Sequence, residues 1–156
     1  MESPRILKKT MAENFKILAE FVKDMSSETK DIESYLFVKE NLSKYHLLIN
    51  ITSKPLKNNM IEVSTTIKYH DKENNDKRSY FEIVYATVIK LTTEIKDKKE
   101  LEKILLCDVQ KEIYPRLEKV LLNLITGSGY LGIKFEKKLT LTNFTKSNLI
   151  RKKIFF

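Results

Sequence analysis

Apolar and polar positions alternate most regularly in the middle of the chain. Ile61, Val63, Thr65, Ile67 and Tyr69 fall on one face, and Glu62, Ser64, Thr66 and Lys68 fall on the other. A period of two marks an antiparallel strand with one buried and one wet face. It predicts a strand over residues 60–70. The flanking stretches 46–53 and 78–92 are rich in β-branched and aromatic residues and predict two more strands. The polar connections, 54–59 (Lys-Pro-Leu-Lys-Asn-Asn) and 71–77, carry turn residues. Three strands joined in this way form a meander.

Upstream the pattern is ambiguous. Phe15, Ile17, Ala19 and Phe21 alternate as in a strand, whereas Ile17, Leu18, Phe21, Val22 and Met25 also fit a helical stripe. Residues 26–44 are polar with embedded Tyr35, Leu36, Phe37 and Val38 and read as a long connection. After Glu94 the period changes. Leu101, Ile104, Leu105, Ile113, Leu117, Val120, Leu121, Leu124 and Ile125 recur at steps of three and four, the helical spacing. Pro115 predicts either the first turn of a second helix or a kink. Thr126-Gly127-Ser128-Gly129 is a helix stop. Strands first and helices last define the α+β class.

Charge adds a second pattern. The 156 residues carry a formal charge of +8, from 29 Lys plus Arg against 21 Asp plus Glu. Between Lys134 and Phe156 there are seven basic residues and one acid, Glu136, which leaves the rest of the chain near balance. The end of the chain is therefore a basic segment, 146–156, following a body at 1–145. Such a segment suits an acidic partner, a nucleic acid or lipid head groups.

Candidate chemistry is sparse. Cys107 is the single cysteine, so no intrachain disulfide can form. With His46 and His70 it cannot complete a four-ligand zinc site without a carboxylate. The three glycines, Gly127, Gly129 and Gly132, form no phosphate-binding loop. Ser128 lacks the spacing of a nucleophile elbow. No apolar run reaches the roughly 18 residues a membrane helix needs, and the N-terminal residues lack the apolar stretch of a secretory signal. These features predict a cytoplasmic binding protein with no metal, no cofactor and no catalytic set.

Five stretches together resemble one family. Phe21-Val22-Lys23-Asp24-Met25-Ser26-Ser27-Glu28 is similar to the first-strand signature of the export chaperone SecB, Tyr-Ile/Thr-Lys-Asp-Ile/Leu-Ser-Phe-Glu. Ile49-Asn50-Ile51-Thr52-Ser53-Lys54-Pro55-Leu56, followed by Ile61-Glu62-Val63, resembles the family's second strand, turn and third strand. Residues Phe81 to Val88 resemble the fourth strand. Ile113-Tyr114-Pro115-Arg116 sits where the family has Leu-Phe-Pro in its main helix, and Gly129-Tyr130 resembles the Gly-Phe beyond it. The likeness runs from about residue 14 to about 135. Four features depart from the family: Arg116-Leu117-Glu118 stands where Ala-Arg follows the helix Pro, Thr87 replaces a usual Gly, the Pro-Ile/Val-Asn-Phe motif survives only as Leu141-Thr142-Asn143-Phe144, and the tail is basic.

The resemblance implies a four-stranded antiparallel sheet followed by a C-terminal helical layer, and so a strand over residues 14–25. It implies a homotetramer, a dimer of dimers, that holds unfolded preproteins and passes them to the motor SecA. Membrane contact would come only through the translocon, and no nucleic acid is required. The family's SecA-docking patch corresponds to Asp24, Glu28 and Glu82, with Tyr80 where a Leu often stands. A client groove needs aromatic walls with little sequence demand; Tyr35, Phe37 and Tyr114 are the candidates. A chaperone dedicated to one client, such as an antitoxin, is the alternative within the family, and a basic nucleic-acid-binding module is the alternative outside it.

Overall fold

A computed structural model describes residues 14–71, 79–131 and the backbone of 150–154. The turn expected at 71–77 lies outside these residues except for Asp71, as does the Leu141–Phe144 motif.

Four long strands form the expected antiparallel sheet. They are β1 (Phe15–Glu28), β2 (His46–Pro55), β3 (Met60–His70) and β4 (Tyr80–Leu91). The alternation in β3 is realised: Ile61, Val63, Thr65, Ile67 and Tyr69 are all buried, and the intervening residues are not. The β2–β3 hairpin turns at Asn58 and Asn59, whose φ values of 61° and 60° lie in the left-handed region that Asn tolerates. Met60 N–H donates to the Lys57 carbonyl at 3.3 Å and closes the turn.

The strand order is β1-β4-β3-β2-β5. β5 (Ile150–Ile154) is a fifth strand, paired in parallel with β2, that the four-strand expectation did not contain. It lies within the segment read as a basic tail. The ambiguous stretch at 14–25 is strand, paired with β4 along its whole length. Its mixed periodicity has a local cause. Register shifts between Ile17 and Ala19 and between Val22 and Asp24 insert bulges, and each bulge swaps the face that later residues occupy.

Residues 26–44 correct the expectation of a long connection. β1 runs to Glu28, and α1 (Ile32–Asn41) follows, ending in a single 3-10 turn at Leu42–Lys44. The Asp31 side chain accepts from Ser34 N–H at 2.7 Å and caps the helix. That bond holds the Asp31 carboxyl below the usual carboxylate range. Val38 and Leu42, four residues apart, bury the inner side of the segment.

The C-terminal helical layer comprises α2 (Lys98–Lys103), one π turn at Ile104–Asp108 and α3 (Val109–Gly127), in unbroken succession. Pro115 lies inside α3, not in a first turn. The position is tolerable because Pro115 and Lys111, whose carbonyl loses its intrahelical donor, are both exposed and open to water. Ile113, Leu117, Leu121 and Ile125 form the buried stripe of α3 and join the inward residues of β2, β3 and β4 in one core. Gln110 bonds Thr65 at 3.1 Å and the Leu105 carbonyl at 3.3 Å, so it satisfies a carbonyl beside the π turn. Gly129, at φ +106°, turns the chain out of α3, as the glycines there predicted.

Candidate functional site

The outer sheet face gathers the residues expected to dock a partner. In β4, Phe81, Ile83 and Tyr85 point into the core, so Tyr80, Glu82 and Val84 point away from it. The β1–β4 register sets Asp24 opposite Val84, Ser26 opposite Glu82 and Glu28 opposite Tyr80. Opposite residues share a face, so Asp24, Glu28, Tyr80 and Glu82 occupy one patch on two adjacent strands. Four residues of β1 span about 13 Å between Asp24 and Glu28. The surrounding charge is mixed. Lys68 Nζ lies 3.6 Å from Glu82 Oε1, and Lys23 Nζ lies 2.9 Å from Glu62 Oε2. Asp24 and Glu28 are exposed at the sheet margin.

The expected client groove is only partly assembled. Tyr35 on α1 stacks on Tyr130 at 5.1 Å and donates its hydroxyl to the Gly129 carbonyl at 3.0 Å. Tyr130 in turn meets Phe81 edge-on at 5.7 Å, and Tyr69 continues the aromatic row toward Tyr45. The Tyr130 hydroxyl lies 3.0 Å from both Thr29 Oγ1 and Ser79 Oγ, a small hydroxyl cluster that satisfies its polar end. Ile32 and Leu36, one turn apart on α1, are exposed beside this row. Phe37 and Tyr114, like Tyr35, are partly buried against the core. Burial, with the neighbouring Glu118 carboxylate, pushes the Tyr114 hydroxyl far above an ordinary tyrosine pKa. Of the three, Tyr35 is the one that stacks on the aromatic row, whose other rings, Tyr130, Phe81, Tyr69 and Tyr45, are buried.

A second feature was not anticipated. A groove of about 450 Å³ runs between β1 and α3, lined by Val22 and Met25 on one side and Val120, Leu124 and Gly127 on the other. The two sides are matched end to end. At one end, Arg116 Nη2 and Nε donate to the Glu20 carboxylate at 2.6 and 2.7 Å, and the Tyr85 hydroxyl donates to Glu20 at 2.8 Å. At the other end, Ser128 Oγ lies 2.9 Å from Ser27 Oγ. Arg116, Val120, Leu124 and Ser128 form an i+4 row beside the buried stripe of α3. Their spacing was present in the sequence, but nothing local revealed that β1 would face them.

The groove opens onto the free edge of β1. Leu18, Phe21, Val22 and Met25 on this strand are 40–50% exposed. Among the described residues, β1 pairs with β4 alone. A long apolar edge with unpaired backbone groups is an association surface. The remaining candidates stay chemically ordinary. His46 and His70 are opposite each other in the β2–β3 register, Cys107 sits in the π turn, and among the described residues no cluster of three or more metal-ligating side chains exists. No helix of the described residues is long and apolar enough to cross a membrane.

Comparison with known proteins decides the family. Residues 8–145 match the family model of preprotein translocase subunit SecB. The chain is 52% identical over 136 residues to a protein of Pelagibacter ubique (strain HTCC1062) described as a protein-export protein SecB, covering 87% of this chain and 97% of the relative. The chain belongs to the SecB family. The SecB fold also appears in a distant structure, the Mycobacterium tuberculosis Rv1957 SecB-like chaperone in complex with a ChAD peptide from the Rv1956 HigA1 antitoxin. That structure has a TM-score of 0.52 at 12% identity and covers 86% of this chain and 96% of its own. The resemblance seen at Phe21–Glu28 and in the later strands therefore marks membership, and the α+β order of four antiparallel strands followed by helices is the SecB order.

Proposed function

We propose that this SecB-family protein is a cytoplasmic export chaperone that holds unfolded preproteins and delivers them to the SecA motor, without catalysis or cofactor. The observation that carries the reading is the 52% identity to a protein-export relative over nearly its whole length. Two surfaces support it. The exposed apolar residues of β1 and α1 offer contact to a chain that has not buried its own apolar side chains. The outer-face patch of Asp24, Glu28, Glu82 and Tyr80 offers acidic contacts to a partner with basic residues.

The assembly follows from the edge of β1. Pairing of β1 with β1 of a second copy, antiparallel, is self-complementary about a two-fold axis. It would satisfy the open backbone edge and cover Phe21, Val22 and Met25. Pairing of two such dimers gives the homotetramer, in which one client contacts several surfaces and gains avidity. Residues 1–145 form the chaperone body in this reading, and the basic segment 146–156 adds β5 to the edge of its sheet.

The test is mass in solution together with suppression of aggregation of a reduced, unfolded protein. A tetramer that suppresses aggregation is expected. A monomer without that effect refutes the reading. Asp24→Lys/Glu28→Lys should abolish SecA binding while leaving client holding intact. The M. tuberculosis protein was solved with an antitoxin peptide; if this chain likewise serves one client, pull-down from its own cell would return a single dominant partner.

A further inference from the structure

The outer edge of the sheet, β2, carries an occupant from the same chain. β5 pairs with β2 in parallel over five residues, Ile150 opposite Ile49 through Ile154 opposite Ser53. Among the described residues its strand pairing is with β2 alone. Several features make it a poorly held strand. Parallel pairing is slightly less stable per residue than the antiparallel pairing used elsewhere in the sheet. Its sequence, Ile-Arg-Lys-Lys-Ile, sets three cations in succession, and Lys is depleted in strands. On β2, within the same five residues, Asn50 Oδ1 and Ser53 Oγ are buried and, among the described residues, have no hydrogen-bond partner. These two residues lie on opposite faces of the strand, so each side of the β5 seat carries one such polar group.

We propose that the β2 edge at Ile49–Ser53 is a strand-addition site for an extended segment of a non-native polypeptide, and that β5 is the placeholder a client displaces. The edge is already shown to accept an extended chain through its backbone, because β5 does so with no sequence likeness to β3 on the other side of β2. Backbone pairing needs little sequence demand, which is what a holder of varied unfolded chains requires. A client able to donate to Asn50 Oδ1 and Ser53 Oγ gains bonds that these atoms lack among the described residues. With β1 committed to a second copy, β2 is the edge left at the outside of the assembly. The inference rests on the chaperone reading.

The test uses the full-length protein and one probe, reduced and carboxyamidomethylated α-lactalbumin. Amide hydrogen exchange is followed with and without the probe. Residues 150–154 should lose protection on binding while 49–53 keep theirs. In Arg151→Pro/Lys152→Pro, consecutive missing N–H groups remove at least one bond to β2, and circular dichroism checks that the body stays folded. If β5 covers the edge about nine-tenths of the time, this variant binds the probe about tenfold more tightly. If the wild-type protein holds the probe, but protection at 150–154 is unchanged and the variant binds no more tightly, the placeholder is refuted and the chaperone reading stands. If the wild-type protein does not hold the probe, the chaperone reading falls and takes the placeholder with it.

Discussion

The contact of Arg116 with Glu20 is the most quantifiable link between the helical layer and the edge strand. The Glu20 side chain is 18% exposed and accepts three bonds, two from Arg116 and one from Tyr85. Arg116→Met removes both guanidinium bonds and leaves the carboxylate in a largely covered position with Tyr85 alone. Hydrogen bonds to charged groups contribute about 1.5–3 kcal/mol each, whereas exposed ion pairs contribute about 0.2–1 kcal/mol. The Arg116 side chain is 51% exposed, so solvent screens much of the gain. A coupling energy of about 1–2 kcal/mol is expected, from a double-mutant cycle with Glu20→Gln. For a chain of this length that is a shift of about 3–6 °C in Tm. Urea unfolding of wild type, both single variants and the double variant, at one fixed protein concentration because assembly adds stability, gives the coupling. Arg116→Met alone should be less stable than Glu20→Gln/Arg116→Met, since only the former strands a covered charge. A coupling below about 0.3 kcal/mol, within the usual error of additivity, would refute the role of this pair as a latch.

Three further outcomes are expected. Leu121→Ala, at a fully buried position of α3, should cost about 2–5 kcal/mol in chemical unfolding, and a cost below about 1 kcal/mol would mean the helix does not pack as described. Gly129→Ala should cost about 1–3 kcal/mol, because φ is +106° and the added Cβ would sit 3.4 Å from the Tyr35 ring; Gly127→Ala, with open space around it, is the control and should not destabilise. Burial pushes both the Tyr69 and Tyr85 hydroxyls up to about 12 from 10.0, with the Glu20 carboxylate adding to the shift of Tyr85. The folded state therefore holds these protons more tightly, so their contribution is complete below pH 10 and is lost as pH rises through about 12. Tyr85→Phe should flatten that alkaline decline, measured by unfolding at fixed steps of pH, and an unchanged slope would contradict the cause.

Legibility of the chain in sequence differed from element to element. The strands at 46–53, 60–70 and 78–92 were plain because a half-buried antiparallel strand writes its two faces into alternate residues. The buried stripe of α3 was plain for the corresponding helical reason. β1 was not, because its two bulges break the alternation. Only the family likeness chose strand there. α1 was missed because it buries only Ser34 and Val38 and leaves Ile32 and Leu36 in water, so it has no clear apolar face. The Asp31 cap, three residues before the Ser34 N–H it receives, was the signal available. β5 could not be foreseen, since three basic residues in succession read as solvated chain.

The site divides in the same way. Asp24, Glu28, Tyr80 and Glu82 lie in short segments that the family signature covers, and strand register alone brings them onto one face. Tyr35, Phe37 and Tyr114 all pack partly buried against the core, because composition names aromatics without saying which side of an element they leave. Sequence by itself determined the class, the order of strands before helices, the core stripes and the family. Only the tertiary structure decided that Arg116, Val120 and Leu124 would face β1, that among the described residues this strand would pair along one edge alone, and that β2 would be covered by a later segment of its own chain. Periodicity reports which side of an element is dry, but which elements become neighbours depends on contacts between residues about a hundred positions apart, and no local pattern encodes those.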